Sequence, residues 1–463
     1  MRKLILLIPF ISIMTGCIED GFTTSPSDQP LFSVDTLKIG TVFTDQVTPT
    51  HRFTVRNPHS KQLSISDINL SGPAADCFRL NVDGIAGKRF NAVDIRGKDS
   101  IFVFVEATFP EGAKPMTDYE AKVDFTTNGI TKSVVITAEG QNVRRLSGIT
   151  ITEDTHFDTT LPYQIFDSLV VAPGATLTIE PGANLYFHDK SMLVVRGRLI
   201  AEGSVEKPIN MTGDRTGNVV GDISFDLMSR QWTGAFFTPT STGNRMSHVS
   251  LRNTSQGIML EGNPQLIDTQ LTLVNTRVRN SGGLIIEAYH SSIDATGCEF
   301  AEGSEGLVYL QGGRHTFNHC TFANYYLFSA ISGPAVQFAH ISADEKTGLD
   351  DGSQLPYTTA SFVNSIIYGN GTDLSHGDLK DTDITLHRCL LKSDGTDDDN
   401  FTECIWNSDP LYYTVRSEYL FDYRVKEESP AIGAGIETDA PADWYGITRK
   451  ATLGAYEYTP VEK

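Results

Sequence analysis

The densest concentration of groups able to do chemistry is the run Asp394, Asp397, Asp398 and Asp399, four carboxylates within six residues. Hard cations such as calcium take oxygen ligands from flexible acidic loops of this kind. The run lacks the ordered D-x-D-x-D-G spacing, and a solvated turn yields the same cluster of charge. A solvated loop is therefore the first reading, with calcium the cofactor the run would take as the alternative. Arg314 and His315 set a fixed cation beside an imidazole that titrates near neutrality, the parts of a catalytic base with a supporting charge. Their plainer reading is an exposed turn before a strand. Asp350-Asp351 lies in a glycine-bounded loop, TGLDDGSQ, and Ser375-His376-Gly377 in another. Six aromatic residues, Tyr289, Tyr309, Tyr325, Tyr326, Tyr368 and Trp406, are candidates for stacking on the apolar faces of sugar rings.

Composition bounds what could bind these groups. The chain has 463 residues and a formal charge of −20. Nucleic acid is excluded as a partner, since it requires a basic footprint. The same field opposes polyanionic glycans unless a cation or local basic patch intervenes. Glycine is frequent, and Asn, Asp, Ser and Thr recur between short apolar runs. No long stretch places apolar residues at helical spacing, so an all-β chain is expected.

The first residues carry an address. Arg2 and Lys3 precede a largely apolar run from Leu4 to Met14, too short to span a bilayer as a helix. Thr15, Gly16 and Cys17 follow, a segment that resembles the bacterial lipobox. The resemblance implies a signal peptide over residues 1–17, lipidation of Cys17 and a membrane partner held through that lipid. Glu19 and Asp20 resemble the surface-export signal of Bacteroidetes lipoproteins, which implies an outer-membrane, cell-surface location. Residues 18–32 read as a flexible tether. Five cysteines remain beyond Cys17 (Cys77, Cys298, Cys320, Cys389 and Cys404), an odd number that cannot all pair internally.

From 33 to 143, apolar and polar residues alternate in about seven short runs, among them Phe53 and Val55, Ile101 to Val105 and Ala121 to Phe125. Turn residues such as Asn128-Gly129 separate them. This spacing predicts a β-sandwich. The segment FTVRNPHSKQLSISDINLSG resembles the Hydin-like immunoglobulin folds, which implies an immunoglobulin-like spacer or contact module.

Near residue 145 the texture changes. LVVAPGATLTIEPGANLYF and SMLVVRGRLIAEG place short strands between Gly turns. Similar pieces then recur at Val249, Thr276, Cys298, Cys320, Ile341, Ile366 and Cys389, with gaps of 27, 22, 22, 21, 25 and 23 residues. A near-constant period of short strands is the signature of a solenoid, with equivalent residues stacked in ladders. The cysteines in that series predict an interior ladder of small apolar side chains. The segment resembles the right-handed parallel β-helices of bacterial surface proteins. Its close, SPAIGAG then WYGITRK and LGAYEY, resembles their C-terminal cap, in which a final strand pair covers the end of the core. The expected β-helix spans 145–458. Such folds host lyases, hydrolases and binding proteins alike. The Asn-Thr-Asp, Asp-Asp and Gly-His-Gly set of polygalacturonases is missing from this sequence. The expectation is a non-catalytic envelope lipoprotein that binds a glycan along the wall of the β-helix. Its rival is a carbohydrate-active enzyme, a polysaccharide lyase or glycoside hydrolase.

Overall fold

The computed structural model describes residues 21–220, 223–265, 268–341, 356–375 and 379–460. The described residues are all-β. Three short 3-10 turns interrupt the strands, and there is no α-helix among them. The chain divides into two compact units, Met1–Asn142 and Val143–Lys463.

The first unit contains ten strands: β1 (Leu31–Phe32), β2 (Thr36–Phe43), β3 (His51–Arg56), β4 (Leu63–Ser71), β5 (Phe78–Val82), β6 (Ile85–Gly87), β7 (Arg89–Ile95), β8 (Ser100–Ala107), β9 (Met116–Thr127) and β10 (Ile130–Gln141). They form two five-stranded sheets, ordered β1-β3-β8-β5-β6 and β2-β10-β9-β4-β7. Side chains on a strand alternate between its faces. The runs that alternate in sequence accordingly deliver Phe53, Val55, Val103, Val105, Ala121, Val123 and Phe125 to one shared core. Asn128 and Gly129 both take positive φ (50° and 80°), as a two-residue turn joining twisted antiparallel strands requires.

Residues 21–32, expected within a tether, instead pack on this unit. The Gly21 carbonyl accepts from Gln62 N–H (3.0 Å) and Thr23 N–H donates to the Gln62 carbonyl (2.9 Å). Gln29 Nε2 donates to the Thr127 carbonyl at 3.0 Å. The polar composition that reads as a linker is satisfied here by backbone groups at the ends of β4 and β9.

The second unit is built on a 24-stranded sheet, beside one short antiparallel pair (Asn218–Val220 with Ile223–Ser224), and the strands of the large sheet pair in parallel along three ladders. The first passes through Val171, Val195, Phe237, Leu260, Ala288, Leu310 and Phe338. The second passes through Leu273, Ala295, Phe317, Phe362, Leu386 and Phe401. The third passes through Met211, Leu251, Val278, Phe300, Phe322, Ile367 and Leu391. The inward residues of all three share one core. Phe317 and Phe362 stack there at 4.8 Å between centroids.

A repeated turn leads into the third ladder. Asn275, Gly297, His319, Asn364, Arg388 and Glu403 all have positive φ, between 43° and 68°. Each is followed by a small donor: Thr276, Cys298, Cys320, Ser365, Cys389 and Cys404. Every donor reaches the carbonyl two residues before it, from Thr276 Oγ1 to Val274 (3.0 Å) to Cys404 Sγ to Thr402 (3.7 Å). The strands that follow are in register from Arg277 to Ile405. Thr276, the polar residue in the sequence series, thus belongs to the ladder because its hydroxyl does the work of a thiol. Two anchors are corrected. The rung after Cys320 is Ser365, one residue before Ile366. Ile341 lies off this ladder, because it follows the strand Val336–Ala339, which belongs to the first ladder.

The C-terminal segment, from Tyr412 to Tyr458, lies along the outer side of the third ladder, where a cap over the end of the core was expected. Tyr412, Tyr423, Val425, Ala431, Leu453, Ala455 and Tyr456 pack on Ala301, Ala323, Ile366 and Leu390. Ala301 and Ala323 are small enough to leave room for the aromatic rings, and Ile366 and Leu390 add apolar surface beside them. Consequently Glu299–Gly303 is buried at all five positions, although a strand normally buries only alternate ones.

Candidate functional site

The residues singled out in sequence do not assemble into one site. Arg314 and His315 lie within the strand Val308–Asn318, so they point to opposite sides of it. Arg314 is exposed. His315 fills a core rung between Ile293 and Ala360, 1% exposed, with Nε2 3.1 Å from the Gly312 carbonyl. Burial lowers its pKa to about 4. The pair is therefore not a turn and not a joint base.

The acidic loop spends its carboxylates on itself. Asp398 Oδ1 accepts from Asn400 and Phe401 N–H (2.8 and 2.9 Å). Asp394 Oδ1 accepts from Asn407 Nδ2 (2.6 Å) and Asp397 Oδ1 from Trp406 Nε1 (3.1 Å). Asp399 is exposed beside them. Among the described residues no three His, Cys, Asp or Glu side chains converge as a metal site. Short loops of this shape direct carboxylates at their own backbone, which separates the oxygens calcium would need together. Asp350, Asp351, His376, Gly377 and Cys17 lie outside the described residues.

The aromatics divide. Tyr289 and Tyr309 stand on the outer side of the first ladder with ring centroids 5.6 Å apart, their hydroxyls donating to Glu287 and Gln311. Tyr325 and Tyr368 are half-buried under the C-terminal segment. Trp406 packs on Phe401 (4.9 Å). Tyr326 is buried, with its hydroxyl 2.7 Å from Ser229 Oγ, and it borders a cleft that the sequence did not announce.

That cleft has a volume of about 90 Å³ and is lined by Asp226, Arg252, Arg279, Asn280, Glu302 and Tyr326, with Leu227, Leu327 and Phe421 as apolar walls. Its floor comes from the third ladder. Arg252 and Arg279 are register partners on neighbouring strands, and the next rung is Ala301. The corner residues that follow are Asn253, Asn280 and Glu302, all with positive φ (66°, 58° and 56°). Asn253 and Asn280 donate to the Asp226 carbonyl at 2.7 and 3.3 Å, and Asp226 N–H donates to Ser224 Oγ at 3.1 Å. Two corner amides thus seat Asp226 over the floor. Its carboxylate lies 2.7 Å from Arg252 Nε, off the N–H axis, so that the pairing is electrostatic and not a hydrogen bond.

Below this rim the groups are fixed by buried bonds. Arg279 meets the fully buried Glu299 with two nitrogens, Nη2 at 2.7 Å from Oε2. The Tyr456 hydroxyl also donates to Glu299, and the Tyr423 hydroxyl donates to Glu302. Glu302 is 6% exposed. Burial raises its pKa to about 7, Arg279 opposes the rise, Glu299 adds to it, and the Tyr423 bond opposes it. A carboxyl that keeps its proton near neutrality in an apolar-walled cleft is the feature that marks functional sites.

No protein-family model matches the chain, and no curated protein matches it. Among solved structures, a family 123 glycoside hydrolase from Clostridium perfringens is similar over 24% of this chain and 26% of its own, at 10% identity and a TM-score of 0.18. A protein of unknown function from Porphyromonas gingivalis W83 is similar over 26% of this chain and 59% of its own, at 12% identity and a TM-score of 0.18. An ASH/PapD-like domain of human CEP192 is similar over 29% of this chain and 97% of its own, at 10% identity and a TM-score of 0.18. The matched part thus spans about a quarter of the hydrolase, and likenesses this slight carry no functional argument.

Asp226, Arg252, Arg279 and Glu302 were missed because none sits in a motif of neighbouring residues. One signal exists: the dipeptide Arg-Asn occurs at 252–253 and again at 279–280, and Ala-Glu stands at 301–302. Once the coil period is known, these three fall on one corner.

Proposed function

We propose that this chain is a cell-envelope lipoprotein, lipidated at Cys17 and displayed on the outer membrane, that binds a glycan in the cleft over the third ladder. In this reading the first unit is an immunoglobulin-like sandwich that acts as a spacer. The second is a right-handed parallel β-helix, whose three parallel ladders with a repeated corner support that assignment. The observation that carries the glycan reading is the composition of the cleft. Leu227, Leu327, Phe421 and the Tyr326 ring supply apolar surface for the C–H face of a sugar. Asn280, Arg279, Glu302 and the Asp226–Arg252 pair supply donors and acceptors for its hydroxyls. Arg252, Arg279, Asn280 and Glu302 sit on strands, and Asp226 on a short 3-10 turn is held by the Asn253 and Asn280 amides, so little ordering cost falls on binding.

The test is calorimetric titration of the detergent-solubilised full chain with neutral oligosaccharides chosen from an array. Arg252→Ala and Phe421→Ala should each weaken binding at least tenfold, and EDTA should leave it unchanged. Binding that survives both substitutions would place the ligand elsewhere, with the outer Tyr289–Tyr309 pair the next surface to probe.

A further inference from the structure

We propose, resting on the glycan-binding reading, that this cleft also hydrolyses glycosidic bonds, with Glu302 protonating the leaving oxygen and Asp226 taking a proton from the attacking water. Both carboxyls line one cleft but occupy different surroundings. Glu302 is at the floor, nine-tenths buried, with the Tyr423 hydroxyl on Oε1. Asp226 is at the rim, half-exposed and beside Arg252, where water reaches it. Two carboxyls held in contrasting environments are what acid–base cleavage of a glycoside needs.

The floor is built to hold Glu302 in place. Its strand is buried on both sides, and its corner backbone has the left-handed φ of 56°. The charged and titratable groups facing it are Arg279, Glu299 and Tyr423 below, and the Asp226–Arg252 pair above. Burial outweighs the Arg279 charge, so the acid still carries its proton around neutral pH. The reaction balances without a cofactor. Water oxygen attacks the anomeric carbon as the exocyclic C–O bond breaks. The Glu302 proton goes to the departing alkoxide, one water proton goes to Asp226, and exchange with solvent returns both carboxyls to their starting forms.

The decisive experiment uses the full chain in detergent with two classes of probe: methyl glycosides and oligosaccharides, whose alkoxide leaves only when protonated, and 2,4-dinitrophenyl glycosides, whose phenolate needs no proton. Glu302→Gln keeps an acceptor for Tyr423 and should melt like the parent at pH 5, where the parent's Glu302 carries its proton. It should lose on the order of 10²–10⁴ in rate on the first class and far less on the second. Asp226→Asn should lose rate on both. Wild-type activity should decline as pH rises through about 7, and that limb should vanish in Glu302→Gln. Should Glu302→Gln prove unstable, Glu302→Asp, which retreats the carboxyl by one methylene, should keep the fold and show the same pattern, a larger loss on the first class than on the second. Equal loss on both classes overturns the role of Glu302. Oligosaccharide binding without any cleavage overturns catalysis and leaves the binding reading intact, and neither binding nor cleavage overturns both.

Discussion

The hydroxyl of Tyr423 donates to the carboxyl of Glu302 across 121 residues of sequence, joining the C-terminal segment to the floor of the cleft. Both partners are buried, so a Phe at 423 leaves a polar atom unsatisfied. Tyr423→Phe should cost about 1–3 kcal/mol in chemical denaturation. Because the bond favours the ionised carboxyl, the deficit should be larger at pH 8 than at pH 5. An identical deficit at both values would show that the hydroxyl does not sense the charge on Glu302.

Glu302 also predicts a pH window. Its pKa rises from 4.5 to about 7 on folding, so between those values the folded state binds the extra proton. Its contribution is fully present below pH 4.5 and is lost as pH rises through about 7, on the order of 3 kcal/mol in all. Glu302→Gln should remove that slope from a plot of unfolding free energy against pH. Parallel curves for variant and parent would contradict it.

His315 and His319 act in the opposite direction. Burial lowers each pKa from 6.5 to about 4, with Arg449 adding to the effect at His319. Here the unfolded state binds the proton first. The contribution is present above pH 6.5 and is lost as pH falls through about 4, again about 3 kcal/mol per group. His315→Leu keeps the rung apolar between Ile293 and Ala360 and should move the acid-unfolding midpoint to lower pH. A midpoint that stays put would mean that His315 is already protonated in the fold.

Much of this architecture was legible in the sequence because the physics that sets it is local and repeated. Phe53 and Val55, or Ala121, Val123 and Phe125, alternate because a strand buries alternate residues. Cys298 and Cys320 recur 22 residues apart because each coil must turn the same corner. The cleft was not legible, because its parts are adjacent only after the chain has coiled. Arg252 and Glu302 lie 50 residues apart in sequence. Arg314 and His315 misled for the complementary reason: neighbours in sequence are opposed across a strand. Ser365 is not legible as the rung because apolar Ile366 follows it, and only the folded chain shows the serine hydroxyl donating to the Val363 carbonyl (3.0 Å) as the neighbouring thiols do.

Cys320 gives the sharpest test of the corner ladder. Cys320→Ser should be tolerated within about 1 kcal/mol, since Ser365 already occupies the next rung and makes the same bond. Cys320→Asp places a carboxyl inside the packed core and should prevent folding or cost more than about 4 kcal/mol, although the Arg449 charge acts on this position. An Asp variant with the parent melting temperature would mean that the side chain faces outward.

For the anchor, Cys17→Ala should abolish metabolic labelling with palmitate and leave the unprocessed precursor in the cell. Labelling that persists would rule Cys17 out as the acceptor. Protease shaving of intact cells should remove the protein from the surface, and full protection would place it on the inner side of the envelope.

A stack of coils ordinarily frays from its free end, because its last turn touches only the turn before it. The C-terminal segment changes that. It starts at the final coil and runs back as far as Asn275 and His248, where the Ala442 carbonyl takes the Asn275 amide (2.7 Å) and Trp444 lies 5.8 Å from the His248 ring. The terminal coil cannot peel away until the segment laid across its predecessors has been stripped off. Disassembly of this unit is therefore forced to be concerted over the coils that the segment crosses. A force applied to its C-terminus should meet one large barrier before the coils unwind, where a bare stack would give a staircase of small ones.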